Sequence, residues 1–306
     1  MFIVKYRKIF YAISGLIFLV SVFALSGWGL KQGIDFTGGA LLEIGYTENV
    51  PTIYQAREIL EPLNLGDFSF RETVGKTGED GFIVRMRTVT DTEHVSILNA
   101  LKKQNPSVSE KRFDSIGPIL GKEAVRKSFF SIALVLIAIV LFVTFAFRKV
   151  SEPVASWKYG LITIFALAHD VLVPAGAYAI FGHYFGFEVD TLFVTALLVI
   201  LGFSVHDTIV VFDRVRENLR VSREKRDKKT FDVIVGESIN QTFVRSINTS
   251  LTTLLALVVL YFVGSDATKH FSLTLLIGIT AGTYSSIFLG SPLLVTVERW
   301  QKRKLN

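Results

Sequence analysis

Six long stretches of this chain carry almost no charge. They cover residues 9–30, 128–147, 159–185, 191–212, 246–265 and 271–297. Four of them lack Asp, Glu, Lys and Arg altogether, and the other two hold one acid each, Asp170 and Asp207. A helix needs about 20 apolar residues to cross about 30 Å of hydrocarbon, and each stretch is long enough. A helix lying flat on a membrane would place charge along one face within each stretch, and these do not. The pattern predicts an α-helical polytopic membrane protein with six transmembrane helices. Composition agrees: half of the 306 residues are hydrophobic, only 20% are charged, and mean hydropathy is +0.45. Cysteine is absent, which excludes disulfides, thiolate metal sites and Cys nucleophiles.

Charge is distributed unevenly. Residues 31–125 hold 11 Lys and Arg against 14 Asp and Glu, a net of −3; with +6 for the whole chain, the remainder carries +9. An acidic region beside apolar segments with basic flanks excludes a nucleic-acid binder and fits the positive-inside rule. Lys5, Arg7 and Lys8 precede the first span, and Arg148, Lys149 and Lys158 lie between the second and third. The loop after the fourth span carries Arg214, Arg216, Arg220, Arg223, Lys225, Arg226, Lys228 and Lys229, and the tail carries Arg299, Lys302, Arg303 and Lys304. The short loops on the opposite side hold only Lys269. Both termini are therefore predicted to be cytoplasmic. Arg126 and Lys127 fall on the outer side, next to a folded region, and large domains cross largely regardless of charge. Ala24-Leu25-Ser26 also resembles a signal-peptide cleavage site, but the long uncharged run argues for a retained anchor.

Three regions follow: residues 1–30 with the first span, 31–125 as an outer domain, and 126–306 with the other five spans and a basic loop over 213–245. Within the outer domain, strands are predicted over 41–46, 68–74, 82–88 and 107–116, with a turn over 75–81. Helices are predicted over 52–63 and over 91–104, the second with Asp91 as its N-cap. The order βαββαβ is that of a small α+β, ferredoxin-like domain, extracytoplasmic and placed between the first and second spans. It holds no metal-ligand cluster, phosphate loop or nucleophile arrangement. Its single histidine, His94, reads as a solvated helix residue.

Asp170 and Asp207 are costly where they stand. An ionised Asp at a helix centre costs roughly 2.5–3.5 kcal/mol on insertion scales, and such residues mark ion paths or buried helix contacts. Both readings stay open from the residues alone. Each Asp follows a histidine, His169 and His206, in spans that run in opposite directions. A paired histidine relays a proton or simply donates a hydrogen bond. Adjacent helix residues point about 100° apart, so the pairs need not touch. Asp207 lies past the centre of its span, about 9 Å toward the cytoplasm at 1.5 Å per residue. Arg245 opens the fifth span at the same end, where it either reaches Asp207 or serves as a positive-inside anchor. The polar turns after it, Ser246, Asn248, Thr249, Ser250, Thr252 and Thr253, suit a water-filled half-channel. The last span repeats small residues every fourth place, Gly278, Gly282, Ser286 and Gly290, a stripe on which another helix packs closely. Asp190 reads as an interfacial residue just outside the fourth span, and Asp213, Arg214, Arg216 and Glu217 as a solvated helix end.

Gly33-Ile34-Asp35-Phe36-Thr37-Gly38-Gly39, directly after the first span, resembles the G-I-D-F-x-G-G motif of the SecD/SecF family. Residues 166–171 (A-L-A-H-D-V) resemble its third-span motif, and residues 202–218 (G-F-S-V-H-D-T-I-V-V-F-D-R-V-R-E-N) its most distinctive one. Residues 241–246 (Q-T-F-V-R-S) and 271–282 (F-S-L-T-L-L-I-G-I-T-A-G) match later segments. The likeness covers nearly the whole chain, and the small outer domain resembles the branch with the shorter outer region.

The resemblance implies a non-enzymatic role. Family members SecD and SecF form a complex of the resistance-nodulation-division superfamily in the bacterial cytoplasmic (inner) membrane. That complex works with the SecYEG channel on translocating preproteins and uses the proton-motive force at a late stage, after SecA has hydrolysed ATP. No cofactor is implied beyond the proton as coupling ion, and the chain has no G-x-x-x-x-G-K-[ST] loop. The family's proton-path carboxylate and arginine fall on Asp207 and Arg245, and Asp170 matches a further family Asp. His206 stands where the family has Asn, which places a second titratable group beside the carboxylate. Two other readings remain: a non-catalytic scaffold of the translocon, and a proton-coupled exporter of lipid or small molecules.

Overall fold

The computed structural model describes residues 2–73, 80–147, 154–227 and 229–305. Most of the turn expected over 75–81 and the cations Arg148, Lys149 and Lys228 lie outside the described residues. The chain divides into two compact units, Met1–Lys31 with Phe129–Asn306, and Gln32–Ser128.

A short helix, α1 (Phe2–Lys5), precedes the first long helix, α2 (Arg7–Gly27). The second unit then opens with a single turn, α3 (Ile34–Thr37). It continues through β1 (Gly39–Tyr46), α4 (Ile53–Leu60) with a 3-10 turn Glu61–Leu63, β2 (Ser69–Thr73), β3 (Gly81–Met86), α5 (Asp91–Gln104) and β4 (Val108–Ile116). The strands form one sheet in the order β2-β3-β1-β4, and every neighbouring pair is antiparallel. This is the expected βαββαβ plan. Period-two alternation puts Ala40, Leu42, Ile44 and Tyr46 of β1 on the core face. Opposite them stand Met86, Val84 and Phe82 of β3. The helices close the core with Ala56, Leu60, Ile97 and Leu101.

Three local readings are corrected. The N-cap of α5 is Thr90, not Asp91: Thr90 and Glu93 form a capping box, with the Thr90 N–H donating to Glu93 Oε2 at 2.8 Å. That pairing needs an acid three residues after the cap, which Glu93 supplies. His94 is not solvated; its ring stacks on Phe113 at 3.8 Å, and Nε2 lies 3.2 Å from Glu110. The turn α3 was not anticipated. Its end explains the two glycines that follow. Gly38 has φ 74° and Gly39 has φ 117°, a region L side chains rarely adopt. A Cβ on Gly38 would lie 2.8 Å from Pro118 Cα, and one on Gly39 2.8 Å from the Met86 carbonyl oxygen. Gly33 caps α3, and Asp35 lies in its first turn.

The remaining helices are α6 (Pro118–Ala146), α7 (Ser156–Phe185), α8 (Thr191–Glu224), α9 (Phe231–Val263), α10 (Asp266–Ser285) and α11 (Ser291–Leu305). Among the described residues, six helices are long and apolar enough to cross a membrane, the sixth being composite. In the first unit, α2 packs on α7 so tightly that a Cβ on Gly176 would lie 2.4 Å from Ser21 Cα. Asp190 caps α8, accepting from the Phe193 N–H at 2.7 Å.

Two further expectations change. Residues 213–224 and 231–245 of the basic segment are helical, as the end of α8 and the start of α9. The apolar spacing runs on beyond the span: Val211, Val215 and Leu219 pack with Phe231, Ile234, Val235 and Ile239. Arg214, Arg216 and Arg220 take the other face. Arg214 bonds Glu217 one turn along α8 and donates to Gln241 Oε1 of α9 across the helix pair. The last span is interrupted by a π-helical turn, Ser286–Gly290. Pro292 has no N–H and crowds the carbonyl four residues back, and the Ser291 N–H and hydroxyl both donate to the Ser286 carbonyl instead.

Candidate functional site

The two membrane acids lie in the helical unit, and neither is exposed. Asp170 on α7 has 0% of its surface accessible. Its Oδ2 accepts from Ser204 Oγ of α8 at 2.5 Å and from Ser285 Oγ of α10 at 2.7 Å. His169 Nδ1 stands 2.9 Å from Oδ1, so this His–Asp pair does touch. One carboxylate thus joins three helices. Every donor on it is buried, so each bond forms where an unpaired polar group would cost most.

Asp207 lies three residues beyond Ser204 on the same face of α8 and is 2% exposed. Its partner is Ser250 Oγ of α9, 3.4 Å from Oδ2. Ser250 in turn accepts from Thr283 Oγ1 of α10 at 2.6 Å. His206, by contrast, is exposed, although it stays close enough to Asp207 to act on it electrostatically. Arg245 is also exposed, and among the described residues no ion pair joins it to Asp207. Helix geometry explains this. Arg245 precedes Ser250 by five residues, about 140° around the helix and about 7.5 Å along it. Of the polar run that follows it, Ser246 and Ser250, one turn apart, are the two that are buried.

The small-residue stripe packs within the chain. A Cβ on Gly278 would lie 2.1 Å from Ile200 Cδ1, and one on Gly282 3.0 Å from Ser204 Cβ. Ser286 is buried, and Gly290, inside the π turn, faces Ala166 of α7. The same helix α10 also brings Ser285 to Asp170 of α7 and Thr283 to Ser250 of α9. Sequence reasoning did not pick out Ser204, Thr283 or Ser285. The signal available was a hydroxyl residue beside a small-residue stripe in an otherwise apolar span. Among the described residues no group of three or more His, Asp or Glu is placed to hold a metal.

Two family models match the chain. "Protein export membrane protein SecD/SecF, C-terminal" covers residues 96–300, and "SecD/SecF GG Motif" covers residues 23–50. The chain belongs to the SecD/SecF family. Protein translocase subunit SecF of Thermobaculum terrenum is 43% identical over 305 residues, covering 97% of this chain and 93% of that protein. The subunit of the same name from Sebaldella termitidis is 35% identical, covering 98% and 92%. Among solved structures, SecDF from Thermus thermophilus, described as a translocon-associated membrane protein, superposes with a TM-score of 0.80 at 30% identity. The match takes in 97% of this chain and 38% of that one, so this SecD/SecF member spans well under half of the SecDF chain. SecDF in a super-membrane-facing form gives 0.65 over 98% and 39%. With six membrane-length helices and these relatives, the protein is a multi-pass membrane protein. The GG-motif model takes in Gly33, Asp35, Gly38 and Gly39, and the C-terminal model takes in Asp170, His206, Asp207 and Arg245.

Proposed function

We propose that this chain is a SecF-type subunit of the protein translocase. With SecD it uses the proton-motive force to promote the late, ATP-independent stage of preprotein translocation through SecYEG, with SecA acting earlier. It is a proton-driven subunit rather than an enzyme, with no cofactor and no nucleotide site. The basic helix ends favour cytoplasmic termini in the inner membrane, with unit Gln32–Ser128 on the outer side.

The observation that carries the mechanism is Asp207: a carboxyl group inside a membrane-length helix, 2% exposed, facing a neighbouring hydroxyl and, among the described residues, joined to no Lys or Arg. Ionised, it is a charge at the junction of α8, α9 and α10. Protonated, it is neutral. Each change of state biases how those helices pack. One charge crossing 100 mV supplies about 2.3 kcal/mol, which shifts a two-state equilibrium by roughly fifty-fold. Arg245 and His206, exposed toward the basic end, serve the route by which protons reach Asp207. Asp170 and His169 fix the helices around it.

The test is preprotein release in vesicles carrying Asp207→Asn, with and without a proton gradient, with membrane level and SecD co-purification checked alongside. Loss of the gradient's benefit in an assembled complex supports the proton-driven reading. Unchanged release makes Asp207 structural and brings the scaffold reading forward.

A further inference from the structure

Asp207 is approached by hydroxyls that each face a choice. Ser250 Oγ lies 3.4 Å from Asp207 Oδ2 and 2.9 Å from the Ser246 carbonyl oxygen one turn back. Thr283 Oγ1 lies 2.6 Å from Ser250 Oγ and 2.8 Å from the Ile279 carbonyl oxygen. All three side chains are buried. A hydroxyl has one proton to donate and lone pairs with which to accept. Ser250 and Thr283 therefore each have one proton and two acceptors: one along the chain toward Asp207, and one on their own helix backbone.

We propose that Ser250 and Thr283 form a two-position hydroxyl relay that carries the protonation state of Asp207 from α8 across α9 to α10. With Asp207 ionised, Ser250 donates to Oδ2 and Thr283 donates to Ser250. With Asp207 protonated, its own O–H donates to Ser250 Oγ, Ser250 donates to the Ser246 carbonyl, and Thr283 turns to the Ile279 carbonyl. The single proton gained sits on the carboxylate. Each hydroxyl keeps its own proton and only rotates, so no bond to oxygen is broken in the relay.

The distances fit such a device. O–H···O bonds run at about 2.5–3.0 Å, so 3.4 Å is long for a bond to a carboxylate, whereas 2.9 Å to the Ser246 carbonyl is ordinary. The shorter contact of Ser250 here is the one to its own backbone, and Thr283 Oγ1 is within bonding distance of both Ser250 Oγ and the Ile279 carbonyl. Ionised Asp207 draws Ser250 in by roughly half an ångström to reach bonding distance, and α9 moves with it. The relay thereby turns a charge change into a helix displacement. Other charged groups around Asp207 are accounted for. His206 is exposed but acts electrostatically on Asp207 from the adjacent position, Arg245 is exposed, Asp170 of α7 is tied to His169, Ser204 and Ser285, and Glu298 of α11 pairs with Lys302.

This inference rests on the reading of Asp207 as the proton carrier, and the experiment separates the two. The full chain with its SecD partner is reconstituted in proteoliposomes as the parent, Ser250→Ala, Thr283→Val, Thr283→Ser and Asp207→Asn. Two quantities are read: the pH midpoint of gradient-driven translocation, and the carboxylic-acid C=O band that Asp207→Asn removes from the infrared difference spectrum. An ionised carboxylate that loses its donor is protonated more readily. Ser250→Ala is therefore expected to move the midpoint up by about one pH unit, a tenfold change in the proton equilibrium. Thr283→Val moves it up by less and shifts the C=O band, and Thr283→Ser restores both. Should Ser250→Ala fail to assemble, the Thr283 pair alone decides. Parent-like midpoint and band in Thr283→Val, with Asp207→Asn still abolishing both, overturn the relay and leave the carrier reading standing. No effect of Asp207→Asn overturns both.

Discussion

Gly278 of α10 stands so close to Ile200 of α8 that a Cβ on it would lie 2.1 Å from Ile200 Cδ1 and 2.5 Å from Cγ1. Isoleucine is stiff at χ1, so the ring of packing around it gives little. Gly278→Ala is expected to destabilise the helical unit by about 1–3 kcal/mol, the range for overpacking a tight interface. Ile200→Ala in the same chain should recover much of the loss, because it removes the atoms that collide. Thermal unfolding of both single variants and the double variant in detergent measures the coupling. Additive losses would show that this contact does not set the helix approach.

The bonds at Asp170 make a different prediction. Asn at this position keeps one carbonyl oxygen, which can accept from both Ser204 and Ser285. Ala keeps none. Asp170→Ala leaves buried donors without their acceptor, each at about 1–3 kcal/mol, reduced where a serine turns to its own backbone, as Ser285 can toward Gly282. The melting temperature should therefore fall clearly in Asp170→Ala and only slightly in Asp170→Asn. Equal losses in the two would mean that the charge, rather than the acceptor geometry, holds α7, α8 and α10 together.

These two sites differ in how far the sequence reveals them. Length of apolar run and strand alternation are properties of one segment at a time, so the six spans and the βαββαβ order can be read directly. The Gly278 stripe is likewise local, and it announces close packing without naming Ile200 as its partner. The hydroxyls of Ser204, Thr283 and Ser285 gain meaning only when α8, α10 and α7 meet, and no spacing within one helix reports that. Arg245 illustrates the reverse. Its depth matches Asp207, but depth ignores rotation about the helix, and Arg245 is exposed while Ser246 and Ser250 are buried. The Thr90–Glu93 capping box stands in the sequence as T-x-x-E, but Asp91 beside it is an equally good cap residue by type, and only the backbone geometry separates the two. The π turn follows from Pro292 together with Ser291, whose N–H and hydroxyl both donate to the Ser286 carbonyl.

That capping box carries a pH dependence outside the membrane spans. The Arg87 guanidinium bonded to Glu93, with the Thr90 N–H, holds the Glu93 carboxyl down to about 2. A depressed acid binds fewer protons folded than unfolded, so its contribution to stability rises with pH. It is fully present above the unfolded carboxylate value of about 4.3. It is lost as pH falls through that range toward about 2. The pair is solvent-exposed, so salt screens it. Glu93→Gln keeps an acceptor for the Thr90 N–H and removes the charge opposite Arg87. Amide hydrogen exchange in α5, compared between parent and variant of the full chain at matched pH, should be faster in Glu93→Gln at neutral pH. The difference should shrink below about pH 4 as the parent's own carboxyl protonates in the unfolded chain, and again in about 1 M salt, where the Debye length is about 3 Å. A difference that persists unchanged at low pH would assign the stabilisation to the shape of the cap and not to its charge.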